Sequence, residues 1–319
     1  MKLIVQIPCY NEEACLAATL REIPRAIPGV DTIEILVVDD GSTDRTALVA
    51  REAGVRHLVR FRGHRGLAQA FMAGLDASLR AGADIIVNTD ADNQYPGAEI
   101  PGLIRPIMEG EADMVVGDRM IDKLTRFSPL KRFLQRWGSW AVRRISGTAI
   151  PDCTSGFRAY NREAALRINI VSQFTYTLES IIQGGKKNLA IVHVPVRSNA
   201  ETRESRLFSS MGEYVKRSLS TMVRIYAMYE AFKVFIIIGA LPLAAGALLA
   251  ARFLVLYAAG RGQGHLQSLI FAAVFIIIGF QVLLIGLVAD IISSNRRLIE
   301  DTLYRLRKME LTAGPGNKP

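Results

Sequence analysis

The chain has 319 residues, 39 Lys and Arg against 30 Asp and Glu, a net charge of +9, and half of its residues are hydrophobic. That length suits one large or two small domains, but the apolar residues crowd into the last third, so the average composition describes two different objects. Cys9, Cys15 and Cys153 are odd in number and lack metal-ligand spacing, which speaks against a disulfide framework or zinc module and suits a reducing compartment.

Residues 3–7 open the chain as a strand, too short for a signal-peptide apolar region and without a cleavage pattern. Short β-branched or apolar runs at 33–38, 57–61, 85–89, 114–117 and 189–196 read as further strands, and amphipathic segments at 45–53, 67–79 and 100–108 as helices. Strand and helix in alternation predict an α/β domain with a mostly parallel, Rossmann-like sheet, whose ligands sit beyond the carboxyl ends of the strands. Three polar motifs fall there: Pro8-Cys9-Tyr10-Asn11-Glu12-Glu13, Val38-Asp39-Asp40-Gly41-Ser42 and Asp90-Ala91-Asp92-Asn93-Gln94. In the second, Ser42 or Thr43 is the expected N-cap of the next helix. In the third, two carboxylates and an amide oxygen at a strand end suit a hard cation on a bound diphosphate, and Asn93 and Tyr95-Pro96 read as turn residues. No Gly-x-Gly-x-x-Gly or Walker-type loop and no internal repeat occurs, against dinucleotide and P-loop readings.

Residues 208–229 interleave apolar side chains with Lys216, Arg217 and Arg224, as expected of a juxtamembrane helix. Residues 234–250 and 266–289 are almost wholly apolar, lack a polar face, and approach the roughly 20 residues needed to cross a ~30 Å hydrocarbon layer. Cations flank their outer ends, Lys233 before and Arg296, Arg297, Arg305, Arg307 and Lys308 after, whereas residues 260–265 between them offer only Arg261. Both termini and the first domain are therefore expected on the cytoplasmic side of an inner membrane. The net charge then reflects an anionic leaflet rather than nucleic acid, at about 1 kcal/mol per cation. The expected boundaries are a catalytic domain over 1–207, juxtamembrane helices over 208–232, two transmembrane helices over 233–290 and a cytoplasmic tail over 291–319, with 300–308 a charged helix and 314–319 disordered. Gly239, Gly246, Gly279 and Gly286 permit close helix contact and so a homo-oligomer.

With Gly117-Asp118-Arg119 and Thr154-Ser155-Gly156-Phe157-Arg158 added, the ordered motifs resemble the family-two glycosyltransferases of GT-A fold that make polyprenyl-phosphate sugars, similar to bacterial relatives of dolichol-phosphate mannose synthase. The resemblance covers about the first 230 residues by motif and the spans by architecture. It implies inverting, metal-dependent transfer of one sugar from a UDP- or GDP-linked donor to polyprenyl phosphate. It also implies that Asp39 and Asp40 contact the donor base or ribose, that Pro8, Tyr10 and Glu12 shape the base pocket, and that Arg65 and Asp90 lie at the diphosphate. Asp90, Asp92 and Gln94 match the metal motif for Mg2+ or Mn2+, with Asp92 the first choice of ligand. Because a lipid phosphate is already ionised at neutral pH, the site needs cations more than a strong base. Arg119 and Arg132 are the expected catalytic cations, and Ser155, Gly156, Phe157, Arg158, Arg203, Ser205 and Arg206 the expected acceptor contacts.

Two departures stand out. Where the family often carries Gly-x-Ser-Lys, this chain has Arg203-Glu204-Ser205-Arg206, and Gln135-Arg136-Trp137 lacks the spacing of the processive-synthase signature. The rival readings are a membrane transferase with a hydroxyl acceptor such as a glycolipid, and a non-catalytic nucleotide-sugar-binding membrane protein.

Overall fold

The computed structural model describes residues 1–120, 129–171, 176–199, 230–260 and 266–312 and the isolated positions 212, 220, 223 and 224, with side chains for all of these except 129–137 and 231. They fall into two units, Met1–Met222 with Leu303–Pro319, and Val223–Thr302.

The first unit is built on one seven-stranded sheet: β1 (Lys2–Cys9), β2 (Thr32–Asp39), β3 (His57–Arg60), β4 (Ile85–Asn88), β5 (Met114–Asp118), β6 (Arg158–Asn161) and β7 (Ile191–Pro195), in the order β3-β2-β1-β4-β6-β5-β7. Every pairing is parallel except those of β6, which runs antiparallel to both β4 and β5. Central β1 is fully enclosed at Leu3, Ile4, Val5 and Ile7. Burial on both faces explains why it reads as a continuous apolar run without alternation. Helices α1 (Leu16–Glu22), α2 (Thr46–Glu52), α3 (Leu67–Arg80), α4 (Ile100–Met108), α5 (Pro129–Ser146), α6 (Arg162–Arg167) and α7 (Tyr176–Lys186) complete the unit. One core cluster joins Val5, Ile7, Val37 and Val87 of the sheet to Leu16 and Leu20 of α1 and Leu103 and Ile104 of α4.

Two details differ from expectation. Arg158–Asn161 is absent from the expected strands, since Arg-Ala-Tyr-Asn has no apolar run, yet it pairs on both edges as β6. The start of α2 is also held differently: Asp44 Oδ1 accepts from the Thr46 amide (2.9 Å), in place of Ser42 or Thr43 acting as cap.

The second unit consists of α8 (Ala231–Ala258) and the greater part of α9 (Leu266–Thr312), both long and apolar enough to cross a membrane. Ala272, Gly279, Gly286 and Ser293 recur every seven residues as the buried face of α9. A Cβ on Gly279 would fall 2.6 Å from Leu243 Cγ and 2.9 Å from the Gly239 carbonyl, and one on Gly246 would fall 2.9 Å from the Ala272 carbonyl. These glycines therefore bring the two helices of one chain together. They give no support to self-association.

From Leu303 onward α9 belongs to the first unit. There the Tyr304 hydroxyl donates to Glu163 Oε1 (2.7 Å), the Arg167 guanidinium lies over the Tyr304 ring, and Arg80 pairs with Glu310 (3.3 Å). The expected charged tail helix is thus an unbroken extension of the second apolar helix, docked on α3 and α6. Of the expected juxtamembrane segment, positions 212, 220, 223 and 224 are described, all helical. The linker at 261–265 and the end at 313–319 lie outside the described residues.

Candidate active site

The carboxyl ends of β1 and β2 are stapled side by side. Asn11 adopts φ +54°, and its side-chain oxygen accepts from the Thr43 amide (2.9 Å) while its own amide donates to Ser42 Oγ (3.0 Å). The Glu12 amide donates to Thr46 Oγ1 (2.7 Å), and Arg45 donates its amide to Glu13 Oε2 (2.8 Å). Pro8 is buried in this join, whereas Tyr10 is 39% exposed and stacks on His64 with ring centroids 4.0 Å apart. The stack forms a flat aromatic ledge, the shape a nucleobase takes.

Beneath the ledge, Asp40 Oδ1 accepts from the Arg65 amide (2.7 Å) and Oδ2 from the Gly66 amide (2.9 Å), with His64 Nδ1 at 2.9 Å. Gly41 is obligatory at this point, because at φ +71° a Cβ would lie 2.5 Å from the backbone of Gly63. The Arg65 guanidinium sits over the Phe61 ring, so it is the backbone of Arg65, and not its charge, that meets Asp40. Asp39 corrects the sequence expectation of direct donor contact. It is wholly buried, one oxygen accepts from the Ser42 amide (2.9 Å), and the other is 3.0 Å from Arg60 Nε. Its work is to shape the turn.

The acidic loop after β4 is pinned from both sides. Thr19 Oγ1 donates to the Ala91 carbonyl (2.9 Å), Asn93 sits at φ +57° and donates to Glu22 Oε1 (2.8 Å), and Asn199 binds the carbonyls of Asn93 and Gln94. Asp92 Oδ1 accepts from the Gln94 amide (3.1 Å). Burial first, and the charge of Asp92 second, push the Asp90 carboxyl up to about 7, against the pull of Arg119 and Arg158. A carboxyl whose ionisation is opposed by burial and by a neighbouring carboxylate suits a divalent cation bound with a diphosphate. No cluster of three acidic, His or Cys side chains that could hold a metal alone occurs among the described residues. The donor set fits a metal whose remaining ligands come from the nucleotide.

Gly156 lies directly under Asp90: a Cβ there would be 2.7 Å from Asp90 Oδ2 and 3.0 Å from the Tyr176 hydroxyl. Asn88, inside β4, donates to the Gly156 carbonyl (2.9 Å) and the Tyr176 hydroxyl (2.8 Å) and accepts from Gln6 (2.9 Å). The other residues of this motif depart from their expected acceptor role. Ser155, Phe157 and Arg158 are each fully buried, with Phe157 stacked on Tyr95 at 5.0 Å. The Arg158 guanidinium donates to the carbonyls of Ser155, Thr177 and Cys153 and to Ser180 Oγ. Every edge of that cation is occupied, so Arg158 braces the loop.

Arg119, at the end of β5, makes a bidentate pair with Asp152, Nε to Oδ2 at 2.7 Å and Nη2 to Oδ1 at 3.0 Å, and Nη2 also donates to Thr154 Oγ1 (2.7 Å). Burial would raise the Asp152 carboxyl, but the charge and hydrogen bonds of Arg119, with Thr154, hold it below its ordinary value. No described residue takes the hydrogens of Arg119 Nη1. Asp152 was missed in the sequence; the signal available was an Asx-type spacing, Asp152 to Thr154, which the fold uses at 3.2 Å. Gln6 and Asn88 were missed too, although a polar residue within a buried apolar strand, as Gln6 in β1, or at its end, as Asn88 in β4, is such a signal. Arg132 lies in α5 with its side chain outside the described ones, and Arg203, Ser205 and Arg206 fall outside the described residues.

The family model described as Glycosyl transferase family 2 matches residues 4–168, over half of the chain. The chain belongs to glycosyl transferase family 2. It is 31% identical over 318 residues to the undecaprenyl-phosphate 4-deoxy-4-formamido-L-arabinose transferase of Pseudomonas paraeruginosa, covering 95% of this chain and 87% of that relative. It is also 31% identical over 206 residues to the polyprenol monophosphomannose synthase of Mycolicibacterium smegmatis, covering 61% and 76%. Among solved structures, glucosyl-3-phosphoglycerate synthase from Mycobacterium tuberculosis, in complex with Mn2+, UDP and glucosyl-3-phosphoglycerate, matches with a TM-score of 0.59 at 23% identity, covering 71% of this chain and 80% of that one. At that identity the likeness speaks for the GT-A fold. The protein is a glycosyltransferase, with two candidate membrane spans after its catalytic domain.

Proposed function

We propose that this glycosyltransferase moves a single sugar, with inversion, from a UDP- or GDP-linked donor to polyprenyl phosphate at the cytoplasmic face of an inner membrane, both termini lying on that side. The observation that carries the acceptor class is the Arg119–Asp152 pair. A hydroxyl acceptor needs a base. The carboxylate beside Arg119 is bonded through both oxygens to a guanidinium and held below its ordinary pKa, which makes it a poor one. A phosphate acceptor is ionised already, and a cation with a free edge is what draws it in. The names of the two relatives support the same acceptor class.

In this reading the Tyr10–His64 ledge receives the base, with Pro8, Glu12 and Asp40 forming the pocket around it. Asp92, with Asp90 and Gln94, would hold Mg2+ or Mn2+. When bound, the metal neutralises the diphosphate that leaves. Arg119, with Arg132, holds the lipid phosphate so that one oxygen faces the anomeric carbon, and the nucleoside diphosphate departs from the opposite face. Arg203, Ser205 and Arg206 extend the acceptor side.

The test is incubation of the purified chain with polyprenyl phosphate or polyprenol and a panel of nucleotide sugars, with the lipid product read by mass. Transfer to the phosphate and not to the alcohol is expected. Equal use of both would promote the hydroxyl-acceptor reading, and no product with any donor would favour a binding protein.

A further inference from the structure

Both tryptophans of the chain, Trp137 and Trp140, stand on α5, three residues apart. The same helix carries Lys131, Arg132, Arg136, Arg143 and Arg144 and no Asp or Glu. Where its side chains are described it has two different faces. Ser139, Val142 and Ser146 are buried, whereas Trp140 is 54% exposed and Arg144, one turn further on, is exposed as well. An indole left in water forgoes apolar burial. At a bilayer interface the ring settles at headgroup level and adjacent cations meet anionic lipid.

We propose that α5 is a membrane-surface element that docks on anionic phospholipid headgroups through Trp140, Arg143 and Arg144. The occupant is lipid because the helix is cationic throughout, with no acid of its own, and the chain carries two helices fit to hold it at a bilayer. Since α5 follows β5 in the chain, this docking brings the strand end that carries Arg119 toward the leaflet where a lipid-borne acceptor lies. The inference rests on the membrane reading of α8 and α9, and it holds whichever sugar or acceptor is used.

Neither α8 nor α9 contains tryptophan, so the intrinsic emission of the whole protein reports α5 alone. The experiment uses proteoliposomes of phosphatidylglycerol with phosphatidylcholine brominated at defined depths. The Trp137→Phe protein, whose single indole is Trp140, should lose emission with bromines near the headgroup end of the acyl chain and lose less with bromines near its tip. Arg143→Gln with Arg144→Gln, or replacement of phosphatidylglycerol by neutral lipid, should lessen the loss. A depth control carries Trp137→Phe, Trp140→Phe and Leu248→Trp, placing one indole at an exposed position of α8. An unquenched Trp140 beside a quenched control overturns the proposal and assigns this face to a protein partner or a second copy. An unquenched control overturns the membrane reading and the proposal with it.

Discussion

Arg119 and Asp152 face each other across a separation of 33 residues in sequence, and the proposed acceptor side turns on that pair. Asp152→Asn keeps the shape and removes the charge, leaving the guanidinium with a weaker and less directional partner. The expected result is a rise of roughly tenfold in the KM for polyprenyl phosphate, about 1.4 kcal/mol, with a smaller fall in kcat and partial recovery in Asp152→Glu. Were Asp152 a base for a hydroxyl acceptor, kcat would instead collapse by orders of magnitude with acceptor affinity kept. The pair also has a pH signature. A carboxylate whose folded pKa lies below its unfolded value of about 3.9 stabilises the fold above that pH, and the contribution is lost as pH falls through the folded value. The gap in melting temperature between parent and Asp152→Asn should therefore close in acid, below about pH 4, and stay constant above it. At the neighbouring motif, Gly156→Ala must displace Asp90 or Tyr176, at a cost of about 1–3 kcal/mol. Thermal melts should show the loss, and initial rates should fall further than stability does, because Asp90 belongs to the proposed metal loop and Tyr176 is tied to the same Asn88. Asp92→Asn should leave the fold intact, lower turnover by orders of magnitude and remove the extra thermal stabilisation that Mn2+ adds to UDP. A variant that keeps both would exclude Asp92 as ligand.

At the scale of elements, strand ends deliver the site and helices bury the sheet, so the motifs expected at the ends of β1, β2 and β4 do arrive side by side at one end of the sheet. The element that reorganises the picture is β6. By running antiparallel between β4 and β5 it sets Gly156 under Asp90 and turns Arg158 into the core, and in so doing takes three expected acceptor residues out of reach of a ligand. The two apolar helices have their own test. Gly279→Val would press a side chain into Leu243 and the Gly239 backbone, forcing α8 and α9 apart. We expect a lowered unfolding temperature in detergent for the helical pair, with UDP binding by the catalytic domain unchanged in calorimetry. Equal weakening of both would mean the two units unfold as one.

For the whole molecule, the distribution of cations predicts sidedness. In a Cys15→Ser background, where Cys9 and Cys153 are buried, a cysteine placed at Ala259 should react with an impermeant reagent from outside the cell, and one at Thr312 should not. The reverse pattern would put the catalytic domain on the side where nucleotide sugars are absent. The charged tail continues the second apolar helix, as the sequence led one to expect, and what hydropathy does not reveal is that Tyr304, Arg307 and Glu310 of that tail dock on the catalytic unit to which they belong.

Taken alone, the sequence determined the parallel α/β plan, the two long apolar helices, the acidic loop and the family resemblance, because each is written in local periodicity or in a short motif at a strand end. Strand β1 is legible since burial on both faces demands a run that is apolar but for Gln6; Asp90 to Gln94 is legible since a polar loop follows such a run. What only the tertiary structure decided is which polar residues face a ligand and which serve the fold. Asp39 and Arg158 look like ligand contacts by type, yet both are buried, Asp39 closing its own turn through the Ser42 amide and pairing with Arg60, and Arg158 donating to carbonyls that include Thr177, 19 residues away. Gly239, Gly246, Gly279 and Gly286 look like an oligomer seam, yet they pack one chain against itself. Asp152 drew no notice, and it pairs with Arg119, the proposed acceptor cation. Composition records that a buried polar group needs a partner, but the partner is chosen by non-local pairing across the sheet.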